Sequence, residues 1–560
     1  SLLMNHSPDS IYRFLSQLFA EVKRYEACFI AVAEEDMHAP NVIASIEQIF
    51  DGVLRVAYGE DGSLLVEVKK MVGADIPSRS RTLIQQRSIA GQDKKELEET
   101  SGRKRIAVLP LVSFSPDPND EFFADGLTEE LIDRLCQVRE LEVIARTSVM
   151  AYKNKEKKIA EIGKELKVGT LVEGSVRKAG NRIRVTAQLI DARTEGHLWS
   201  SRYDNELEDI FAVQSDIAEK ITKALKLNLV APEAETPKKS TPVTEAYVYY
   251  LNGVHLRHKA TEEGLRKAVQ YLEKAIELDP DYADAFAQIA INLVFIGIYW
   301  MEPLAQAFSK ARNYATKALE IDPKNTEALY AKGWISYFYD WNWMEAEKEA
   351  RLAISLNPSY SEPRITLAWL LLALGRNSEA VEEARKAVDL DPLGVYSRQC
   401  EGRVLASVGK FHEAIITLNT TLEIEPSSSF LHTEMGYTYL SMGKVEEGLG
   451  EMEKLLKLPS GEFFKMGLGY AYAVSGRRED ALNIAKELEL ARSKGLARPY
   501  EIAMIYSGLG ENSKALDLLE QAFEEKTIIH LLNIRVEPAF ANLRSEPRFR
   551  ALLKKLNLPV

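Results

Sequence analysis

Six prolines in the C-terminal half of the chain recur at a near-constant interval. Pro280, Pro323, Pro358, Pro392, Pro426 and Pro459 each follow an Ala- and Leu-rich helical pattern, acid-ended before Pro280, Pro323, Pro392 and Pro426, at intervals of 43, 35, 34, 34 and 33. A proline cannot continue a helix, so helix-then-proline units at fixed spacing predict a stack of short helix pairs, each contacting only its neighbours.

The residues between the prolines keep the same phase. Small residues mark where two helices of one unit come close and bulky ones where they diverge: Leu367, Ala368 and Leu371 then Ala380, Ala384 and Ala387 in one unit, Gly402, Leu405 and Ala414 in the next, Gly436, Tyr439 and Gly448, then Gly469, Tyr472 and Ala481. Gly375-Arg376, Gly409-Lys410, Gly443-Lys444 and Gly476-Arg477 fall where a left-handed residue must end the first helix. A period near 34 with these landmarks is identified as that of the tetratricopeptide repeat. Residues 244–560 are therefore expected to form a superhelix of about eight repeats, closed by a polar C-terminal helix at 546–556 that caps the last apolar face. The long interval before Pro323 implies an insertion of about nine residues near Trp300 to Leu304, of the kind that forms a loop on one face of such an array.

The resemblance also carries a site. In tetratricopeptide units the first helices line the concave surface, and four positions per repeat face inward. Placed on this chain these are Tyr330, Trp334, Tyr337, Trp369, Tyr396, Gln399, Arg403, Phe430, Tyr437, Phe463 and Tyr470. Aromatics around a central arginine suit a peptide-binding groove, because they bury large area at little entropy cost and the guanidinium adds a fixed hydrogen-bonding fork. The alternative is that several of these aromatics only pack between neighbouring repeats.

A chain of 560 residues exceeds one domain. An apolar fraction of 46% and a charged fraction of 28% describe a folded, ordinary composition. With a net charge of −12 and no concentrated basic face, nucleic acid is not an expected partner. Cys28, Cys136 and Cys400 are odd in number and far apart, which suits a reducing compartment. The longest apolar run, Ile365 to Leu374, is too short to span a bilayer. The start Ser-Leu-Leu-Met shows no secretory leader and reads as that of a chain with sequence missing upstream. A cytoplasmic protein with no membrane contact is expected.

The N-terminal half reads as two small α/β domains joined by linkers, so the fold class is multidomain, with the all-α solenoid last. In residues 1–73, helices at Ile11 to Tyr25 and Ala39 to Phe50 alternate with strands at Cys28 to Ala33, Gly52 to Ala57 and Ser63 to Met71, with a turn at Gly59 to Gly62. "IEQIFDGVLRV" followed by "LLVEVKKMVG" loosely resembles the C-terminal portion of KaiC-like ATPase domains of the RecA superfamily. No G-x-x-x-x-G-K-[ST] occurs anywhere in the chain, so the resemblance implies a remnant without a phosphate cradle. A small α/β domain of no such ancestry is the alternative. Residues 74–104 are polar and weakly periodic and read as a linker.

Residues 105–229 hold the strand "IAVLPL", a helix from Phe122 to Val138, the strand "LEVIAR", a short helix at Ile159 to Leu166 and a hairpin of Gly169 to Lys178 with Arg182 to Asp191. "IAVLPLVSFSPDPNDEFFADGLTEELIDRL" and "ELKVGTLVEGSVRKAGNRIRVTAQLIDARTEGHLWSSRYD" resemble the TolB/FlgO-like amino-terminal domain. That resemblance implies a regulatory module often set before tetratricopeptide arrays, in proteins that carry a cyclase, kinase or winged-helix effector elsewhere. No such effector motif is present here. Residues 230–243, with Pro232, Pro237 and Pro242, form an extended linker.

Catalytic signatures are missing. His255 and His258 lie three apart on a helix but lack further ligands at fixed spacing, so packing or surface roles are expected. Asp117, Asp120, Glu121, Asp125, Glu129, Glu130 and Asp133 form an acidic run without the Gly-centred loop of a calcium site; near a helix N-terminus such acids complement the dipole. There is no nucleophile elbow, zinc helix or kinase triad. The expectation is a non-enzymatic scaffold or signalling protein with no cofactor or metal, binding a protein or peptide in its groove. The rival readings are the regulatory part of a longer KaiC-like ATPase and a transcriptional or cyclase-linked regulator.

Overall fold

The computed structural model describes the backbone of strands 52–58, 64–71 and 81–84 and, with side chains, residues 104–115, 121–136, 138, 140–225, 241–257, 261–298, 301–458, 464–493, 497–526 and 534–559. The chain divides into two compact units, 1–101 and 102–560.

In the first unit β1 (Gly52–Tyr58) pairs antiparallel with β2 (Leu64–Met71), close to the two strands expected there. A third strand, β3 (Arg81–Ile84), pairs antiparallel with the far side of β2. It lies inside the stretch expected to be a linker. Four residues are too few to show an alternating pattern, and the flanking Ser/Arg and Gln/Arg residues mask it. The helices, first strand and turn expected at 11–50 and 59–62 lie outside the described residues.

The second unit opens with a mixed sheet of strand order β6–β4–β7–β8–β9. Its centre is β4 (Lys104–Val108), parallel to both β6 (Leu141–Val143) and β7 (Thr170–Ala179). Ile106, Ala107 and Val108 are each 0% exposed, as a continuous apolar run covered on both faces must be. The short β5 (Val112–Ser113) also pairs with β7. The expected hairpin joins β7 to β8 (Arg182–Asp191), and Val172, Val176, Ile183, Val185, Ala187 and Leu189 are all buried. Gly174 in the middle of β7 has no room for a side chain: a Cβ there would sit 2.1 Å from the Thr186 carbonyl oxygen. A further strand, β9 (His197–Glu206), completes the edge beside β8. None of its residues is fully buried, which is how edge strands avoid pairing with other chains and why it carries little apolar signal. Helices α1 (Glu121–Cys136), α2 (Arg146–Met150), α3 (Ile159–Glu165) and α4 (Ile210–Ala224) surround the sheet.

Eight helix pairs follow among the described residues. They are α5/α6 (Thr244–Arg257, Glu262–Leu278), α7/α8 (Ala283–Ile298, Leu304–Ile321), α9/α10 (Thr326–Ile335, Trp343–Leu356), α11/α12 (Glu362–Ala373, Asn377–Leu390), α13/α14 (Val395–Ser407, Phe411–Ile424), α15/α16 (Ser429–Ser441, Val445–Lys454), α17/α18 (Lys465–Val474, Arg478–Arg492) and α19/α20 (Pro499–Gly508, Asn512–Glu524). The terminal helix is α21 (Pro547–Lys555).

The glycines act as the sequence requires. Gly375, Gly409, Gly443, Gly476 and Gly510 all have φ between 75° and 83°, the left-handed region. The residue after each donates its N–H to a carbonyl five residues back, as in Arg376 to Leu371 at 2.8 Å and Lys410 to Leu405 at 2.9 Å, which satisfies an orphan carbonyl of the helix end. Close helix contact explains the in-phase small residues: a Cβ on Gly402 would lie 2.6 Å from Leu418, and one on Gly253 2.5 Å from Leu272.

Two features depart from a uniform array. Residues 299–300 are outside the described set, but much of the extra length before Pro323 is helical: α7 has 16 residues and α8 has 18, against 12 and 14 in α11 and α12. The insertion thus lengthens a helix pair instead of forming only a loop. In α9 the end is a π-turn at Ser336–Asp340, and Trp341 takes the left-handed position at φ 55°.

The C-terminal segment does more than cap. Phe549, Leu552, Leu553 and Leu556 are buried, yet the same segment also reaches back to early repeats. Trp343 Nε1 donates to the Leu556 carbonyl at 2.6 Å, Trp341 stacks on Phe523 at 5.4 Å, and Arg535 donates to the carbonyls of Leu372 and Ala373 at 3.0 and 3.1 Å. The superhelix is closed on itself by contacts more than 150 residues apart in the chain.

Candidate functional site

Closure converts the concave face into a cavity of about 470 Å³. Its walls come from the first helices of successive pairs, and nine of the eleven residues assigned inward from the repeat phase line it: Tyr330, Trp334, Tyr337, Trp369, Tyr396, Gln399, Arg403, Phe430 and Tyr437. Of the other two, Phe463 lies outside the described residues; its neighbour Phe464 lines the wall, its ring 4.7 Å from Phe430. Tyr470 packs between repeats, 6.3 Å from Tyr437 and against Gly508, where a Cβ would meet its ring at 2.9 Å.

The lining residues divide into scaffold and surface. Tyr330, Trp334 and Tyr337 are under 5% exposed, and form an aromatic chain: Phe295 to Trp334 5.3 Å, Tyr330 to Trp334 5.3 Å, Trp334 to Phe338 5.1 Å, Tyr337 to Phe338 4.9 Å. Trp334 Nε1 donates to Thr366 Oγ1 at 2.5 Å on the next repeat, so these rings mainly bind repeat to repeat. Tyr396 is 39% exposed, and Trp369 and Phe430 are half-buried; these three lining residues are less buried than the aromatic chain.

Arg403 departs from its expected role as a ligand fork. It is 4% exposed and donates to Glu537 Oε2 at 2.6 Å and Glu434 Oε2 at 3.2 Å, with its guanidinium over the Tyr437 ring at 5.5 Å. Burial pulls its pKa down, but the Glu537 and Glu434 carboxylates hold it above its ordinary value. Its fork is engaged by the C-terminal segment, so Arg403 fastens the closure.

Three further carboxylates define the chemistry of the walls. Glu362, in the first turn of α11, accepts from Ser361 Oγ at 3.1 Å; burial pushes it up to about 7, against the pull of Arg257. Asp391 accepts from Ser148 Oγ at 2.6 Å and Ser397 Oγ at 3.0 Å. Burial also raises Asp391 and Glu434. Arg257 faces Glu129 at 3.9 Å.

One wall belongs to the sheet-and-helix region that precedes the array within the same compact unit. Thr147 of α2 lines the cavity, and its neighbours are sewn to the array: Ala145 N–H to the Leu390 carbonyl at 2.8 Å, Leu393 N–H to Ser148 Oγ at 2.8 Å, and Val143 N–H to Ser359 Oγ at 3.1 Å. On the other side α1 packs on α5, with Gly126 directly over Leu251. The acidic run sits at this joint. Glu121 pairs with Lys153 at 2.8 Å, Asp125 accepts from Lys153 at 2.7 Å and faces His255 Nδ1 at 3.1 Å, and Glu129 meets Arg146 at 3.2 Å. His255 is thus a packing partner of Asp125; His258, Asp117 and Asp120 lie outside the described residues. Burial, reinforced by Asp284, pushes Glu130 up to about 8, and burial raises Asp133 well above its usual value. Among the described residues no group of three or more His, Cys, Asp or Glu side chains could hold a metal, and no helix is long and apolar enough to cross a membrane.

Comparison with known proteins meets this geometry at the repeats. The family profile of the tetratricopeptide repeat matches residues 265–282 and 362–392. The chain carries tetratricopeptide repeats. Among curated proteins, "Putative adenylate cyclase 3" of Rhizobium meliloti (strain 1021) is 43% identical over 187 residues, 33% of this chain and 32% of that protein. The chain thus spans about a third of that relative's length. Similar solved structures include YrrB, described as a TPR protein with an unusual peptide-binding site (22% identity, 33% of this chain and 89% of that one, TM-score 0.25). Another is a tetratricopeptide repeat protein from Parabacteroides merdae ATCC 43184 (13% identity, 56% and 100%, TM-score 0.31).

Proposed function

We propose that this chain is a non-catalytic scaffold or signalling protein that binds a peptide segment of a partner in the inner cavity of its repeat array, with the TolB/FlgO-like α/β domain as a regulatory module. One observation carries the reading: inward positions of four successive repeats converge on a single cavity whose wall is completed by Thr147 of the α/β domain. A cavity of this size, walled mainly by apolar and aromatic side chains with charged groups set among them, is what ligand sites favour. Because an occupant would touch both parts, binding and the seating of the α/β domain are coupled.

The test uses the full chain. Peptides selected from a random displayed library are titrated calorimetrically against the wild type and against Trp369→Ala and Tyr396→Ala, two positions on the cavity wall. Each substitution is expected to weaken binding by roughly 1–2 kcal/mol, in the range of interface aromatics. Unchanged affinity in both variants overturns the assignment.

The identity with the Rhizobium meliloti protein supports a second reading, in which the chain is the regulatory portion of a cyclase-linked system. The non-catalytic reading expects no cyclic AMP from ATP and the purified chain; its formation would overturn that reading.

A further inference from the structure

We infer that the cavity receives a cationic group, a guanidinium or alkylammonium, held by the Glu362 carboxylate among aromatic rings. The inference rests on the proposed ligand site and names the chemistry of its occupant.

The lining carries four carboxylates, Glu362, Asp391, Glu434 and Glu537, against two guanidinium groups, Arg257 and Arg403. Most of these charges are already committed. Arg403 is engaged by Glu434 and Glu537, and Asp391 by two serine hydroxyls. Arg257 is shared between Glu129 across the domain joint and the neighbouring Glu327 and Glu362. What remains is an excess of negative charge. Glu362 has accessible surface on the cavity and is held by the Ser361 hydroxyl and by its own backbone N–H. Independently, Glu537, 5% exposed and also on the lining, leaves Oε1 without a hydrogen-bond partner among the described residues.

Rings share the lining with this charge: Tyr330 stands edge-on to Trp334, and Trp369 and Tyr396 lie on the same wall, Tyr396 39% exposed. A cation over a ring face is attracted by the ring quadrupole, and a carboxylate beside it adds a charge-assisted hydrogen bond. An anion entering the same space would meet more carboxylates than guanidinium groups on the lining. An apolar group would desolvate Glu362 further and add no partner, which is costly.

Calorimetry on the full chain with three probes tests this: the peptide acetyl-Phe-Arg-Phe-amide, its citrulline counterpart, and phenethyltrimethylammonium. Citrulline keeps the shape of arginine and removes its charge. The arginine peptide should bind at least tenfold more tightly than the citrulline peptide. Glu362→Gln should remove that preference while leaving the citrulline affinity unchanged. Equal binding of the two peptides to the wild type, a comparison that needs no variant, overturns the cation assignment and leaves the peptide reading standing. If phenethyltrimethylammonium binds and neither peptide does, the cation assignment holds and the ligand is a small amine. Saturable binding by none of the three overturns this inference and the cavity reading together.

Discussion

Removing the Arg403 guanidinium should unfasten the C-terminal segment. Arg403→Met keeps the aliphatic bulk of the side chain and leaves Glu434 and Glu537 facing each other in a space where Arg403 is 4% exposed and Glu537 5% exposed. An ion pair of that kind is a weak net stabiliser when whole, but removing one partner strands charge in low dielectric at a cost of about 3–5 kcal/mol. Every 1.4 kcal/mol is about a factor of ten, so the local opening equilibrium should rise by roughly two to four powers of ten. Repeat arrays open locally, so the proper readout is amide hydrogen exchange at 534–543 and at 371–376, where Arg535 holds the Leu372 and Ala373 carbonyls. Both stretches should lose protection together, while the central strands of the sheet keep theirs. Burial already raises the Glu434 pKa, so the defect should shrink as pH falls and that group takes up a proton. Protection changed less than tenfold would mean that the triad is not what fastens the segment.

Other consequences follow from the same geometry. Glu130 has a folded-state pKa of about 8 against an ordinary value of 4.5, so the folded state holds this proton more tightly than the unfolded one; its stabilising contribution is full below the unfolded value and is lost as pH rises through about 8. At about 1.4 kcal/mol per unit this amounts to a few kcal/mol, and the melting temperature should fall between pH 5.5 and 8.5; a rise over that window would refute the assignment of Glu130 to the buried joint. Gly174→Ala drives a methyl group against the Thr186 carbonyl oxygen in mid-strand and should cost about 1–3 kcal/mol in urea unfolding of the sheet; a neutral result would mean β7 and β8 are not in this register. Asp391→Ala leaves the Ser148 hydroxyl without its acceptor at the domain joint and should cost about 1–3 kcal/mol, seen as faster proteolysis of α2; unchanged cleavage would show that this contact does not seat the domain.

The repeat array was legible because its grammar is local. Each glycine cap needs only the helix before it, and each small residue only the helix beside it, so phase read from prolines predicts both the φ values near 80° and the inward positions. The same reasoning stopped where long-range contacts begin. Arg403 has the residue type and position of a ligand fork, and only Glu537, 134 positions later, engages it. Phe464, which the repeat phase did not single out, lines the wall, and the helix before it ends in a 3-10 turn at Leu455–Lys457. Trp341 occupies a left-handed position that sequence rules give to glycine; its stacking on Phe523 supplies a reason that no local pattern contains. In the α/β domain the buried strands announced themselves, whereas edge strand β9, alternating between exposed and half-buried residues, did not.

The central claim is that the ligand enters the closed cavity and does not dock on the outer face of the array. Photo-crosslinking decides between these most directly, with benzoylphenylalanine placed in the full chain at Tyr396, 39% exposed and on the cavity wall, or at Met344, 80% exposed on α10 and absent from that wall. Adducts with a selected peptide should form from position 396, disappear under excess unlabelled peptide, and be missing from position 344. Adducts at 344 and none at 396 would place the ligand on the outside and contradict the account.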